Sequence, residues 1–564
     1  MPRTVIILFA LVMALGAWLR FAHLGARGLL FFDEGVYVLG ARFLRGWWLT
    51  LVHHGWAAAH AYRLDSTRWL GLPSPFAKPA HDGWLMLGML IGGPSLLSAL
   101  RMTALFGTLT LAAVYWIGRR AFDPWVGLVA TALAAVSVYQ LGYARSALAE
   151  TEAMWWWLVA IGVLLPGGEA DSHEVGSPQS VRHFAKARSV RHFLGRPSGS
   201  GLLRLLISGA CGGLAFLSNY RLWMIPPCLA IVDACRRRDL GAPRAILRRS
   251  FLLTAGFLAP LLIAMLVDGA CSRGASSILA PTYWSQLFSR YSRHVPEGFT
   301  LSGWWAYPYM LWSLDGGVMA LACGAGLMGL AWRGDWTGRG IAAVTLCIVG
   351  FFSLFHTHHA RYISVALPLL SLAAAWAMVQ AARWWLRRWR LERLEFMTLI
   401  CVLIGVVLWQ LPDAVALTRQ RTAYTQVLPA LQALAPVDEA PVIATQPYIL
   451  QALGGRRYLP PPQRGNLHAW AAHGSRYLVV DYQVVFGAFG ELWDVRAQEL
   501  AAALHPVVVL ANPAGASQQV AFEHVTDPGL TRRQLADPGL RAFMGSIAIC
   551  DLAHGPVAAP TEKR

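Results

Sequence analysis

Lysine is scarce in this sequence: Lys78, Lys186 and Lys563 are all it has, and none follows a glycine. The glycine-rich loop that cradles nucleotide phosphates and ends on a lysine is therefore missing, which excludes an ATP motor within the chain. Charged residues make up only 14% of the sequence, and its eight cysteines show no paired metal-ligand spacing. Cys211, Cys228, Cys323, Cys347 and Cys401 sit in or beside apolar runs and read as small packing residues. What is abundant is apolar. Of the 564 residues 56% are hydrophobic and the mean hydropathy is +0.45, too apolar for one soluble core. This is the composition of a polytopic α-helical membrane protein. The net charge of +18 does not point to nucleic acid, because the basic residues fall mostly in short loops between apolar spans, where positive charge sets orientation.

Periodicity and charge place spans near residues 4–23, 95–117, 126–143, 148–165, 202–218, 221–234, 250–267, 304–331, 340–356, 362–380 and 396–411, about eleven in all. The first is read as a retained span, since no small-residue cleavage site follows it. Arg119-Arg120, the segment 182–196, Arg236 to Arg238 with Arg248-Arg249, Arg333, Arg339, and Arg383 to Arg393 all fall on one side, predicted to be cytoplasmic. The N-terminus is then cytoplasmic. The loops at 24–80, 144–148, 268–303 and 356–361 face outward, so Asp33, Lys78, Arg145 and Arg361 share a compartment. Trp84 to Ile91 is too short to span and is predicted to lie as a helix in the interface. The basic loop repeats Ser-Val-Arg-His-Phe at 180–184 and 189–193, an offset that puts the copies on opposite helix faces. It is read as a solvated loop, with anionic-lipid contact as the alternative.

After Leu411-Pro412 the texture changes to a polar helix near 414–434, helical stretches such as Leu492 to Leu504, and strand-like runs at Val442 to Thr445, Tyr477 to Val480, Val507 to Leu510 and Ile547 to Cys550. The predicted organisation is a transmembrane domain, 1–411, with a large first extracytoplasmic loop at 24–94. A small extracytoplasmic α/β domain follows at 412–564, its tail after His554 expected to be disordered.

Asp33 and Glu34 stand just beyond the first span. A carboxylate pair there is either solvating a helix end at the headgroups or working chemically. His53-His54 and His356, His358 and His359 are predicted to lie outside; they match no zinc spacing and read as surface histidines, with a metal as the alternative. Trp47-Trp48, Trp155 to Trp157 and Trp304-Trp305 read as interfacial belts.

The order of short motifs is more specific than any one of them. Asp33-Glu34 with Tyr37 and a helix from Val38 to Leu44 is followed by Ala77-Lys78-Pro79-Ala80, Gly93-Pro94-Ser95, Ala99-Leu100-Arg101 and Leu105-Phe106-Gly107. Val114 to Arg120, Tyr143 to Ala147 through Glu150, Gly213 to Leu217 before Asn219-Tyr220, and Arg361-Tyr362 before Leu367-Pro368 continue it. Over roughly residues 1–380 the chain resembles the GT-C class of membrane glycosyltransferases, in particular the family 39-like protein O-mannosyltransferases and bacterial lipid A aminoarabinose transferases. Three departures leave acceptor and sugar open: Ala80 stands where a second proline is usual, Asn219 where lysine is common, and the 47–75 loop is rich in His and Trp.

The resemblance implies a sugar donor on a polyprenyl phosphate and an acceptor lipid, glycan or protein outside the membrane. Such a leaving group needs no general acid, so inverting transfer asks for one carboxylate on the acceptor side and cations on the phosphate. The expected residues are Asp33 as the acidic group, Glu34 helping to hold acceptor or loop, and Lys78 and Arg361 on the phosphate with Tyr362 beside them. Arg145 at the phosphate and Glu150 near the sugar are kept against helix-end packing. No cofactor is expected, with a divalent metal left open. Low lysine with high arginine suggests a bacterial inner membrane. A secondary transporter or lipid flippase is the competing function, recognisable by inverted repeats, broken midplane helices and mid-span charges; a non-catalytic scaffold is the third reading.

Overall fold

The computed structural model describes residues 3–65, 78–165, 199–237, 243–271, 302–355, 358–434, 442–454, 458–460, 476–486, 506–514 and 537–552. The repeated basic segment 180–193, most of the 268–303 loop, His356, the predicted helix at 492–504 and the tail after His554 lie outside these residues.

The membrane part is built from α1 (Arg3–Phe21), α2 (Phe32–Leu64), α3 (Pro79–Gly92), α4 (Leu96–Ala121), α5 (Pro124–Val136), α6 (Val138–Ala144) and α7 (Glu150–Leu164). It continues with α8 (Gly199–Ser218), α9 (Ile225–Arg237), α10 (Pro243–Cys271), α11 (Ala306–Arg333), α12 (Trp336–Ser353), α13 (Leu367–Arg388) and α14 (Glu395–Arg419). Among the described residues 8 helical segments are long and apolar enough to cross a membrane, or 9 if the bent pair α5 and α6 counts as one. The protein is an integral membrane protein. Helices occupy all eleven predicted spans; α7 and α9, of 15 and 13 residues, are the short ones. Small residues let helices close up as lipid-immersed helices do: a side chain on Gly209 or Gly213 of α8, or on Gly256 of α10, would strike the facing backbone. At the arginine-rich end, Arg383 ties α13 to Asp123 at the start of α5 (2.7 Å) and to Glu395 at the start of α14 (2.8 Å).

Two local expectations are corrected, and a charge is found within a span. The predicted span at 126–143 is two helices bent by 66° at Ser137, whose hydroxyl caps α6 by accepting from Gln140 N–H. Charge also enters mid-span: Asp315, buried in α11 beside a break at Gly316 (φ +82°), accepts from Ser137 Oγ at 2.7 Å and Tyr139 N–H at 3.1 Å. The Gln410 amide donates to the Asp315 carbonyl at 2.7 Å. Backbone groups freed at the two breaks are thus satisfied by neighbouring helices, Tyr139 N–H by the Asp315 side chain and the Asp315 carbonyl by Gln410 of α14, which is what permits breaks at membrane depth. Finally, the helix predicted at 38–44 runs from 32 to 64, turning sharply at Gly55 (φ +79°). Beyond the turn it folds back, so that Tyr62 packs on Phe43 and against Gly46.

Past the last span, α14 continues through Pro412 to Arg419, and α15 (Tyr424–Leu434) leads into a five-stranded sheet. Its strands are β1 (Val442–Ala444), β2 (Tyr458–Leu459), β3 (Tyr477–Asp481), β4 (Pro506–Ala511) and β5 (Ser546–Asp551), in the order β2-β1-β3-β5-β4. β1 pairs parallel to β2 and β3, while β5 pairs antiparallel to β3 and β4. The four predicted strands are present; β2 was not foreseen, two residues being too few for an alternation to show. Helix α16 (Pro447–Leu453) carries this sheet onto the start of α2, where Tyr448 packs edge-on to Phe32 at 5.0 Å and leaves no room for a side chain at Gly35.

Candidate active site

The first turn of α2 is made by its own acids. Glu34, at the third helical position, accepts from Leu30 N–H (2.7 Å) and Phe31 N–H (3.0 Å), capping the helix. It also pairs with Arg27 at 2.8 Å and accepts from Ala147 N–H at 2.8 Å, joining the loop after α1 to the turn between α6 and α7. Fully buried and surrounded by these donors, it holds the loop. Asp33 beside it turns the other way. Its Oδ2 lies 2.5 Å from Arg361 Nη1 and accepts from the Tyr37 hydroxyl at 3.4 Å, with 27% of the side chain exposed. Burial works to raise the Asp33 pKa, but Arg361, then Lys78 and Arg221, outweigh it and hold the carboxyl well below the usual carboxylate range.

Lys78 immediately precedes α3, whose first helical residue is Pro79, a position where the missing N–H costs nothing. Its ammonium is buried over the Tyr37 ring at 4.5 Å, with the Tyr220 ring at 5.9 Å. Burial pushes its pKa down. Arg221 stands in the 3₁₀ turn between α8 and α9, its guanidinium 4.8 Å from the Tyr362 ring and 4.0 Å from Glu150 Oε1, which also receives the Asn219 amide at 3.5 Å. Lys78 Nζ, Arg221 Nη1 and Glu150 Oε2 are buried with no hydrogen-bond partner among the described residues. Burying such groups without partners is costly, so the arrangement suits a ligand that brings an anion and a donor.

The structure therefore brings together Asp33, Lys78, Glu150, Arg361 and Tyr362 of the residues expected from sequence. It sends Arg145 elsewhere: this guanidinium donates to the carbonyls of Leu19 (2.7 Å), Arg20 (3.2 Å) and Ala22 (2.8 Å) at the end of α1, and to Thr418 (3.1 Å). Arg145 and Glu150 have different neighbours because the chain breaks between α6 and α7. Arg221 was missed. The signal was its place two residues after Asn219, at the position where a lysine was expected, on a connection too short to be only a linker.

No protein-family model matches the sequence, and no curated protein sequence does. The fold is nevertheless that of the GT-C membrane glycosyltransferases. The structure of ArnT from Cupriavidus metallidurans bound to undecaprenyl phosphate superposes with a TM-score of 0.53 at 14% identity, covering 90% of this chain and 97% of that one. The archaeal oligosaccharyltransferase AglB from Archaeoglobus fulgidus, in complex with an inhibitory peptide and a dolichol-phosphate, gives 0.52 at 13% identity over 89% of this chain and 72% of that one. The Archaeoglobus fulgidus enzyme in complex with Zn and sulfate gives 0.50 at 12% identity over 90% and 72%. The fold class expected from the motif order is thereby borne out.

Proposed function

We propose that this protein transfers a sugar from a polyprenyl-phosphate carrier to a lipid, glycan or protein acceptor on the outer side of the membrane. The observation that carries the reading is the convergence of Asp33 and Arg361, 2.5 Å apart, with Lys78 Nζ, Arg221 Nη1 and Glu150 Oε2, buried atoms without a hydrogen-bond partner among the described residues. Lys78, Arg221 and Arg361 take the donor phosphate and stabilise the charge it gains as the glycosidic bond breaks. Glu150 accepts from a sugar hydroxyl or amine, and Tyr362 backs the Arg221 guanidinium. Asp33 polarises the acceptor from the face opposite the phosphate, giving inversion. Held well below the usual carboxylate range, it is a weak base, which suffices because the departing phosphate is already a stable anion. Glu34 and Arg145 act indirectly, fixing the loops.

The cations around Asp33 fit an anion better than a divalent metal, and no group of three or more His, Cys, Asp or Glu residues among the described ones suits a metal ion. No step here runs through a metal. The undecaprenyl phosphate of the Cupriavidus neighbour, with the low lysine and high arginine content, supports a bacterial inner membrane, and the positive loops support a cytoplasmic N-terminus. In the same reading the chain divides into a catalytic membrane domain, 1–411, and an extracytoplasmic sheet domain, 412–564. The transporter reading receives less support from Asp315 and the bent pair than the sequence criterion implied, because these features cap one another.

The test is mass spectrometry of envelope glycolipids and glycoproteins from cells lacking the gene, complemented with wild type or Asp33→Asn at matched expression. One sugar mass that disappears and returns only with wild type is expected. Full restoration by Asp33→Asn, or no change in any glycan, overturns the reading.

A further inference from the structure

Next to this site, and not used by the chemistry above, lies a second pair of buried titratable groups. His81 and Glu152 are both fully buried, the first on α3 one turn after Lys78, the second on α7 two residues after Glu150. His81 Nε2 lies 3.0 Å from the Ala147 carbonyl oxygen. A carbonyl only accepts, so this nitrogen carries a proton. The other ring nitrogen, Nδ1, faces Glu152 Oε2 at 3.2 Å. A neutral ring would set a bare nitrogen lone pair against a carboxylate, two acceptors in contact inside a dry interior. The contact is favourable only with a proton on the ring nitrogen, between the two groups. Neither Glu152 oxygen nor His81 Nδ1 has a hydrogen-bond partner among the described residues, so the 3.2 Å ion-pair contact between them is what offsets their burial.

We propose that His81 and Glu152 share one buried proton that positions Lys78 against Glu150, so that occupancy of the donor site depends on pH through this pair. The pair ties the first turn of α3, which directly follows Lys78, to the first turn of α7, which begins at Glu150. His81 also packs edge-on to Tyr37 at 5.0 Å, the ring that carries the Lys78 ammonium on its face and donates to Asp33. Loss of the proton drives the two helix starts apart and shifts the cations that meet the phosphate. The groups facing His81 are Glu152, Asp82, Lys78 and Tyr37. Burial lowers its pKa, Glu152 and Asp82 raise it, Lys78 opposes them, and the balance lies above the ordinary 6.5. A raised value in the folded state means that the contribution is complete below pH 6.5 and is lost as pH climbs through the folded pKa.

The inference rests on the proposed donor site, and two measurements separate their failures. The first is the melting temperature of the full chain in nanodiscs between pH 6 and 9. The second is the affinity for undecaprenyl phosphate over the same range. Glu152→Gln keeps the contact without the shared proton, since its amide donates to Nδ1 of a neutral His81, and His81→Gln removes the titrating ring. Wild type is expected to lose melting temperature and about tenfold in affinity across the range, a change of the size carried by one unit of pKa coupling. Both variants are expected to be nearly flat in melting temperature, and to keep in affinity only the slope that the ligand's own second ionisation, at about 6 for a phosphate monoester, gives to any protein. A variant that follows the wild-type curve, or a wild type with a flat melting curve, overturns the shared proton. Failure of wild type to bind undecaprenyl phosphate at any pH, with the melting behaviour as expected, overturns the donor site and the positioning role together while leaving the proton.

Discussion

Asp33 and Arg361 are separated by 328 positions in the chain and by 2.5 Å in the fold, one opening α2 and the other in the 3₁₀ turn before α13. The pair keeps the carboxylate ionised. In wild type, its contribution to activity is present above the ordinary carboxylate pKa and is lost only as pH falls far below it, so Asp33 adds no acid limb to the rate between pH 5 and 8. Arg361→Gln removes the strongest attraction on Asp33 and is expected to bring such a limb in, with a fall in rate at all pH values. A rate-pH profile of the two proteins checks both.

Asp33→Asn is expected to lower the transfer rate by about 10²-fold to 10⁴-fold, the usual contribution of a group acting on the acceptor proton. Circular dichroism and gel-filtration behaviour should stay as in wild type, because Glu34, not Asp33, caps the helix. Glu34→Gln is expected to do the reverse, lowering the melting temperature first.

Lys78→Met and Arg221→Met each remove a cation proposed to meet the phosphate. A charge-assisted hydrogen bond contributes about 1.5–3 kcal/mol, so affinity for undecaprenyl phosphate should fall by roughly one to two orders of magnitude in each. Equilibrium binding in detergent measures it. Arg145→Met, which breaks bonds at the end of α1 instead, should act chiefly on stability.

Gly35 lies against the backbone of Tyr448 and Ile449. Gly35→Val is expected to overpack this contact at a cost of about 1–3 kcal/mol and to loosen α16 from the turn that carries Asp33. Limited proteolysis of the sheet domain and the transfer rate should change together.

From the start of α15, the Tyr424 hydroxyl donates to the buried Asp481 at the end of β3, whose carboxyl burial pushes up to about 6. A carboxyl raised in the folded state favours folding at low pH, so its contribution fades as pH rises from about 4 through about 6. Asp481→Asn should flatten that part of the stability curve. Tyr424→Phe should destabilise the domain by about 1–3 kcal/mol, read from thermal unfolding.

Residues whose meaning is local were legible in the sequence. An apolar run of membrane length states a span wherever it lies, loop arginines state a side, and the change of texture after Pro412 announces a different kind of domain. For the same reason Asp33, Lys78 and Arg361 could be singled out: each stands at the end of a span, on one predicted side, in a recognisable order. Which of them meet was decided only by tertiary structure. Periodicity reports the face a residue occupies on its own helix, not the neighbour across the interface. Arg145 and Arg221 look alike at span ends, yet one is consumed by four carbonyls while the other faces Glu150. The break at Ser137 gave no sign in an apolar run, because the groups that satisfy it come from Asp315 more than a hundred residues away. Burial removes water as the default hydrogen-bond partner, so the role of each polar side chain here is set by whichever distant groups the fold leaves within reach.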